Sequence, residues 1–306
     1  MKKKSLTTNL IEGLNKEISS KDRYRASLHL LDWIGCAFIG STAQVGKIFI
    51  DFSKNYAKGR CNILNGDSCS PEIASFVNGS LGNIFEMDDI HRTSILHPGP
   101  VIIPSALAAA QETSADSETF LNSIICGYEI MIRFGQSIGK EHYKFFHNTS
   151  TCGSFGSSVA AGKIIGLNNE QLINAVGNCG SVLGGLWQMR NEDVMTKQFH
   201  NAHAARTGFT SALLAKYGLT GPKFILEGPQ GVYAAVGKDS EPQRITSNEY
   251  SKWKIFDTSF KPWAACRHAH PVIDATLKLA KKINSKDIGD VRIKTYIDAV
   301  KFCDRI

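Results

Sequence analysis

The feature that most limits how this chain can fold is a helical stripe of very small side chains beginning at Cys152. The positions i, i+3, i+4, i+7 and i+8 of one helix face are then taken by Gly153, Gly156, Ser157, Ala160 and Ala161. A face with almost no side-chain bulk allows another helix to approach closely. We therefore expect this helix to be packed among other helices.

Helical periodicity also covers most of the remaining sequence. Apolar positions and caps predict further helices at 23–40, 72–85, 102–114, 120–138, 170–183, 198–217 and 272–283. Asp116 with Ser117, and Asn168 with Asn169, stand where helix caps are needed. Residues 57–66 are predicted to be a loop or a brief extended piece, and Val291–Tyr296 alternates like a half-buried strand.

These patterns predict a mainly α fold. A large all-helical domain is expected over residues 1–260, followed at 261–306 by the beginning of an α+β domain. Because a single strand near residue 296 has no partner in the sequence, we expect that second domain to be incomplete here.

The composition is that of a globular protein: 42% of the 306 residues are hydrophobic and 21% are charged. Neither a signal peptide nor an apolar run of the ~20 residues needed to span a bilayer is found, so we expect a cytoplasmic protein without membrane contact. The net charge of +7 is spread along the chain, which argues against nucleic acid and suits a small polyanionic substrate. The eight cysteines form no Cys-x-x-Cys pair, so most are expected to be buried free thiols.

The strongest chemical signal lies between Glu86 and His97. Glu86, Asp88, Asp89, His91 and His97 place three carboxylates and two imidazoles within twelve positions, directly before a Pro-Gly-Pro break and an apolar helix. Groups that exchange protons are costly to bury, and such clusters are typical of active sites. We interpret this segment as an acid/base loop.

Four later segments carry compatible groups: His147 before a helix rich in small residues, Arg190 after Trp187, Lys197 with His200 and His203, and Lys261 with Arg267 and His268. Imidazoles can exchange protons, and cations can stabilise the charge that develops on a carboxylate when a neighbouring proton leaves. Arg267 is suited to bidentate carboxylate binding. The mixture favours proton abstraction next to a carboxylate.

Structural alternatives exist for several of these residues. Asp88 and Asp89 could cap a helix end, and His91 could be a solvated loop residue. His268 and His270 could bind a metal, although the neighbouring Arg267 would repel a cation. Trp187 and Trp263 are expected to be core aromatic residues. Lys197 begins a helix, where the helix dipole disfavours a cation, so we expect an anion beside it.

At these segments the sequence strongly resembles the MmgE/PrpD family, which includes 2-methylcitrate dehydratases, cis-aconitate decarboxylases and an iminodisuccinate epimerase. The resemblance rests on an ordered set of stretches: 78–91, His97-Pro-Gly, 146–156, 196–205, 219–222, 226–228 and 261–271. It implies a helical domain that holds the site and works without a metal or organic cofactor.

Carried over by position, the resemblance implies a catalytic set and a substrate-binding set. The first consists of Glu86, His97, His147, Lys197 and Lys261; the second consists of Asp88, Asp89, His91, His200, Arg267 and His268. The implied function is that of a lyase or isomerase, similar to a 2-methylcitrate dehydratase, acting on a small polycarboxylate. One of His97 and His147 is expected to be the base and the other to assist as the acid. We also expect a homodimer.

Two features separate the chain from the best-known relatives. Cys266-Arg267-His268 stands where many dehydratases and decarboxylases carry a histidine a few residues after the lysine, and those relatives extend beyond residue 306. A non-catalytic helical oligomerisation module is therefore the second hypothesis. A metal-dependent hydrolase that uses the histidine pair is a distant third.

Overall fold

The fold is mainly α-helical, as the sequence predicts; it is seen in a computed structural model that describes residues 4–246 and 252–303. Within these ranges there are thirteen α-helices. They are α1 (Leu6–Glu12), α2 (Ser20–Thr42), α3 (Gln44–Ser53), α4 (Pro71–Leu81), α5 (Gly99–Thr113), α6 (Ser117–Ser137), α7 (Lys140–Tyr143), α8 (Asn148–Ile164), α9 (Asn169–Gly180), α10 (Thr196–Lys216), α11 (Val232–Val236), α12 (His270–Ala280) and α13 (Ile297–Cys303).

Helix α8 is the predicted small-residue helix, and it lies at the centre of the fold. It packs against α5, α6, α9 and α10, and nearly all of its residues are buried. A Cβ atom on Gly156 would lie 2.5 Å from Ile102 Cδ1, and one on Gly208 of α10 would lie 1.9 Å from Ser157 Oγ. Glycine is therefore required at both helix crossings, and the predicted close approach is confirmed.

Side-chain caps fix the beginnings of the long helices. Asp116 accepts the backbone N–H of Thr119 at 2.7 Å to start α6, and Asn168 forms a capping box with Gln171 to start α9. Asn169 is already the first helical residue. Helix α5 starts at Gly99, so the Pro-Gly-Pro motif forms its first turn, where proline needs no hydrogen-bonded N–H.

In the described part of the chain, four strands of two residues each form two small antiparallel pairs. Strand β1 (Cys61–Asn62) pairs with β2 (Ser68–Cys69), which agrees with the brief extended piece predicted over 57–66. Strand β3 (Ile90–His91) pairs with β4 (Thr258–Ser259), which the sequence did not predict.

The strand predicted at Val291–Tyr296 is wrong: this described segment has no regular structure, and Val291, Ile293 and Tyr296 are exposed. Alternating residues form a strand only where another strand supplies backbone hydrogen bonds, and none of the described residues does so there. The division of the chain at residue 260 stays a prediction.

All eight cysteines are free thiols, and six of them are buried, as expected of small hydrophobic side chains. Among the described helices, none alone is long and apolar enough to cross a membrane. The bent pair α2 and α3, which meet at 90°, reaches that length and composition together.

Candidate functional site

The acid/base loop starts earlier than the sequence suggests, because α4 ends at Leu81 and not near residue 85. The side-chain amide of Asn83 then donates a hydrogen bond of 2.6 Å to Asp88 Oδ1 and folds the chain back. Glu86 and Ile95 have φ angles of 54° and 50°. This left-handed conformation is strained for a β-branched residue such as Ile95, and backbone strain of this kind concentrates at functional sites.

The β3–β4 pair brings the loop to a segment more than 160 residues away. In its register Ile90 lies opposite Ser259 and His91 lies opposite Thr258. Lys261 follows β4 directly and reaches back to the loop, where its Nζ donates a hydrogen bond of 2.7 Å to the backbone oxygen of Glu86. Two short strands thus place a buried lysine beside two carboxylates, those of Glu86 and Asp88.

Glu86 joins the two predicted catalytic lysines. One carboxylate oxygen pairs with Lys197 Nζ, and the other lies 3.5 Å from Lys261 Nζ. Burial alone would raise the pKa of Glu86, but Lys197, His97 and Lys261 together lower it. Lys197 lies at the start of α10, where the helix dipole disfavours a cation, so an anion is expected beside it. Glu86 is that anion.

Asp88 links Lys261 to His97. Its Oδ1 lies 3.5 Å from Lys261 Nζ and its Oδ2 lies 3.0 Å from His97 Nδ1. Burial would raise the pKa of Asp88, but the neighbouring His97 and Lys261 hold it far below its usual range. The pKa of Lys261 is raised, because Asp88 and Glu86 outweigh the burial of its ammonium group. At neutral pH both groups are charged.

The ring of His97 is held in one orientation. Its Nδ1 donates a hydrogen bond of 3.0 Å to the backbone oxygen of Asp89, and its backbone N–H donates to Thr149 Oγ1 at 3.1 Å. A proton fixed on Nδ1 leaves Nε2 as the basic nitrogen. His97 thus has the arrangement of a general base backed by the Asp88 carboxylate.

Asp89 and His91 belong to the acid/base loop, but their side chains bond to the groups behind it. Asp89 accepts hydrogen bonds from His29 Nδ1, Tyr128 OH and the Gly99 backbone N–H, at 2.7, 2.7 and 2.9 Å. It thereby ties the loop to α2, α5 and α6. His91 hydrogen-bonds Ser94 Oγ at 2.5 Å, and burial lowers its pKa to about 4. Both residues position the loop.

The opposite wall is built around His147, which precedes α8. Its backbone N–H donates to Gly185 O, and the Trp187 backbone N–H donates to Phe145 O, both at 2.8 Å. This pairing places the Trp187 ring 4.5 Å from the His147 ring. Burial, reinforced by the charge of Lys197 and by His200, lowers the pKa of His147 well below its usual value, so the ring is neutral.

These walls enclose a cavity of about 110 Å³. It is lined by Glu86, Ile90, Ile95, His97, Tyr143, His147, Trp187, Lys197, Cys266, Arg267 and His268. Six of the predicted site residues are in this lining, and Lys261 and Asp88 lie directly behind it. His200 lines a neighbouring groove instead.

Sequence reasoning missed the roles of three residues in this lining. No sequence pattern indicated a role for Tyr143, because it lies in a four-residue helix and belongs to no motif. Trp187 is buried, as expected of a core aromatic residue, yet it also faces the cavity. Cys266 is also in the lining, at the segment where many dehydratases and decarboxylases of the family carry a histidine. Trp263, in contrast, donates its Nε1–H to Asp274 and is not in the lining.

A second cavity, of about 440 Å³, adjoins the first and shares Ile90, Ile95, Arg267 and His268 with it. Arg267 has no carboxylate partner among the described residues, so its guanidinium group is available to a ligand. His268 hydrogen-bonds the hydroxyl of Tyr296. The two cavities therefore have one wall in common.

A metal-binding arrangement was the third hypothesis. Within the described ranges, no three His, Cys, Asp or Glu side chains are placed to hold a metal ion. His270 is buried and its Nε2 lies 3.1 Å from the Ala265 backbone oxygen, whereas His268 turns to Tyr296. The two imidazoles therefore engage different partners.

The sequence matches the MmgE/PrpD N-terminal domain over residues 10–245, which is most of the chain. The chain belongs to the MmgE/PrpD family. The matched range contains the acid/base loop, His147 and Lys197, while Lys261 and Arg267 follow it.

Named relatives of this MmgE/PrpD chain include decarboxylases. It is 28% identical over 278 residues to the cis-aconitate decarboxylase-like protein oryM of Aspergillus oryzae, covering 84% of this chain and 57% of the relative. It is 25% identical over 296 residues to a cis-aconitate decarboxylase of Aspergillus terreus, covering 90% and 60%, and 28% identical over 276 residues to the human cis-aconitate decarboxylase, covering 85% and 55%. The chain spans little more than half the length of these relatives.

Proposed function

We propose that this MmgE/PrpD chain carries the site of a lyase or isomerase that moves a proton next to a carboxylate of a small polycarboxylate. One observation carries the proposal: Lys197 and Arg267 line the cavity, Lys261 lies directly behind it, and the imidazole of His97, backed by Asp88, is also in the lining. Three cations around two carboxylates leave a net positive charge for an anionic ligand.

The proposed reaction uses each of these groups. The basic Nε2 of His97 takes the proton, and the Lys197 ammonium group and Arg267 stabilise the negative charge that builds up on the substrate carboxylate. Lys261 is fully buried and keeps Glu86 and Asp88 ionised and in place. His147, neutral because of its burial, serves as the second proton-transfer group.

The proposed substrate class is a small acid with two or three carboxylates. The 110 Å³ cavity is well below the ~300–1,000 Å³ of pockets for drug-sized ligands, which favours a compact molecule. The adjoining cavity gives a further carboxylate access to Arg267. Since three named relatives are cis-aconitate decarboxylases or similar to one, cis-aconitate is the first candidate, and 2-methylcitrate is the second.

The test is to incubate the purified chain with each acid and to follow substrate and product by proton NMR. His97→Gln should lower kcat by at least about 100-fold, since general-base catalysis contributes that much. His203→Gln, on a face of α10 outside the cavity lining, is the matched control and should retain turnover. Absence of turnover together with absence of anion binding would contradict the proposal and favour the non-catalytic module.

A further inference from the structure

Two histidines join the candidate active site to a separate surface groove. His147 and His200 are 2% and 7% exposed, and their Nδ1 atoms form a hydrogen bond of 3.3 Å. His147 lines the catalytic cavity, whereas His200 lines a groove of about 770 Å³. Leu186 and Val194 line the same groove and are exposed, so it opens to solvent. The imidazole pair therefore spans the wall between the site and water.

The pair is fixed from both sides. His147 precedes α8 and is anchored by its backbone hydrogen bond to Gly185, while His200 lies in the first turns of α10. Ser150 Oγ of α8 donates to the backbone oxygen of His200 at 3.3 Å and holds the two helices together at this point. The contact is thus built by two core helices and is not a chance approach of surface side chains.

We propose that His200 is a proton relay that connects buried His147 to water in the groove; this inference rests on the proposed function. An imidazole can accept a proton on one ring nitrogen while releasing another from the second. No other group is required, because the second imidazole is already in hydrogen-bond contact.

The transfers balance in protons. A proton arriving at His147 Nε2 is matched by movement of the Nδ1 proton of His147 to Nδ1 of His200, and the Nε2 proton of His200 then passes to water. Each ring ends as the opposite neutral tautomer. A proton that travels in the reverse direction restores both tautomers, so one route serves both proton release and proton delivery.

The surroundings favour transfer over storage of the proton. Burial lowers the pKa of His200 to about 4, helped by His203 and Lys197. Burial also lowers the pKa of His147 well below its usual value, helped by Lys197, His200, His97 and Arg190. A protonated ring is therefore a strong acid at neutral pH and passes its proton on quickly.

The decisive experiment measures exchange of the His147 ring proton with water, by NMR of protein labelled with ¹⁵N-histidine. In His200→Asn the amide can still hydrogen-bond at the Nδ1 position but cannot pass a proton onward. The relay predicts that exchange slows by at least about tenfold in this variant and is unchanged in Lys216→Ala, a control at the far end of α10. Equal exchange in wild type and His200→Asn would overturn the relay.

Turnover provides the second measurement. His200→Asn should lower kcat by about tenfold or more with KM unchanged, and added imidazole should restore the rate through the groove. A loss that imidazole does not repair would show a merely structural role and overturn the relay.

Because the exchange measurement needs no substrate, a wild-type chain without turnover would count against the proposed lyase alone. If His200→Asn does not fold, the wild-type exchange rate should still rise with imidazole concentration, and no rise would overturn the relay.

Discussion

At the scale of single residues, neighbouring carboxylates of one loop have different tasks. Asp88 faces Lys261 and His97, whereas Asp89 faces away and accepts three hydrogen bonds from the helical core. Because successive side chains in an extended loop point in opposite directions, two adjacent aspartates divide between chemistry and anchoring. The sequence shows both as members of one motif and cannot separate them.

The buried side chain of His91 is predicted to make the free energy of unfolding depend on pH. Burial lowers its pKa from about 6.5 to about 4, so the unfolded chain takes up the proton first as the pH falls. This contribution to stability is complete above pH 6.5 and is lost between pH 6.5 and 4. In His91→Asn, the loss of unfolding free energy between pH 7.5 and 4.5 should be smaller by about 2 kcal/mol. Urea unfolding at the two pH values measures it, and equal losses in both proteins would contradict the account.

At the scale of secondary-structure elements, the site depends on the short β3–β4 pair. Arg25 of α2 donates to the backbone oxygen of Thr258 and lies 4.6 Å from the Phe260 ring, and thus holds β4 and the lysine that follows it. Arg25→Met should weaken turnover by at least about tenfold through misplacement of Lys261. Arg23→Met is the control, because Arg23 contacts Ile18 and Glu118, away from the site. Equal turnover in both variants would show that β4 needs no such anchor.

Helices could be predicted better than the site. Caps such as Asp116 and Asn168 act within one helical turn, so local sequence reveals them. The contact between Lys261 and Glu86 depends on a two-residue strand pair that joins distant segments, and no local pattern encodes it. The alternation at Val291–Tyr296 led to a wrong strand prediction because the local pattern is present, but the described residues offer no partner strand.

At the scale of the whole molecule, the predicted homodimer remains a prediction, and the structure suggests where to test it. One side of α2 exposes apolar side chains that include Leu31 and Phe38, which are 66% and 57% exposed. Apolar patches on a protein surface mark interaction sites when they are contiguous. We expect the chain to sediment as a dimer at micromolar concentration and Leu31→Asp/Phe38→Asp to sediment as a monomer. A monomeric wild-type chain would contradict the prediction.

The central claim is that the cavity between the acid/base loop and the two lysines binds a small polycarboxylate, and calorimetric titration with citrate tests it most directly. Citrate should bind the wild-type chain with one site, and more tightly at low salt, because the attraction is electrostatic. Lys197→Ala should abolish the binding heat, whereas Lys216→Ala, at the far end of the same helix, should leave it unchanged. Equal citrate affinity in Lys197→Ala and wild type would show that the anion binds elsewhere and would contradict the account.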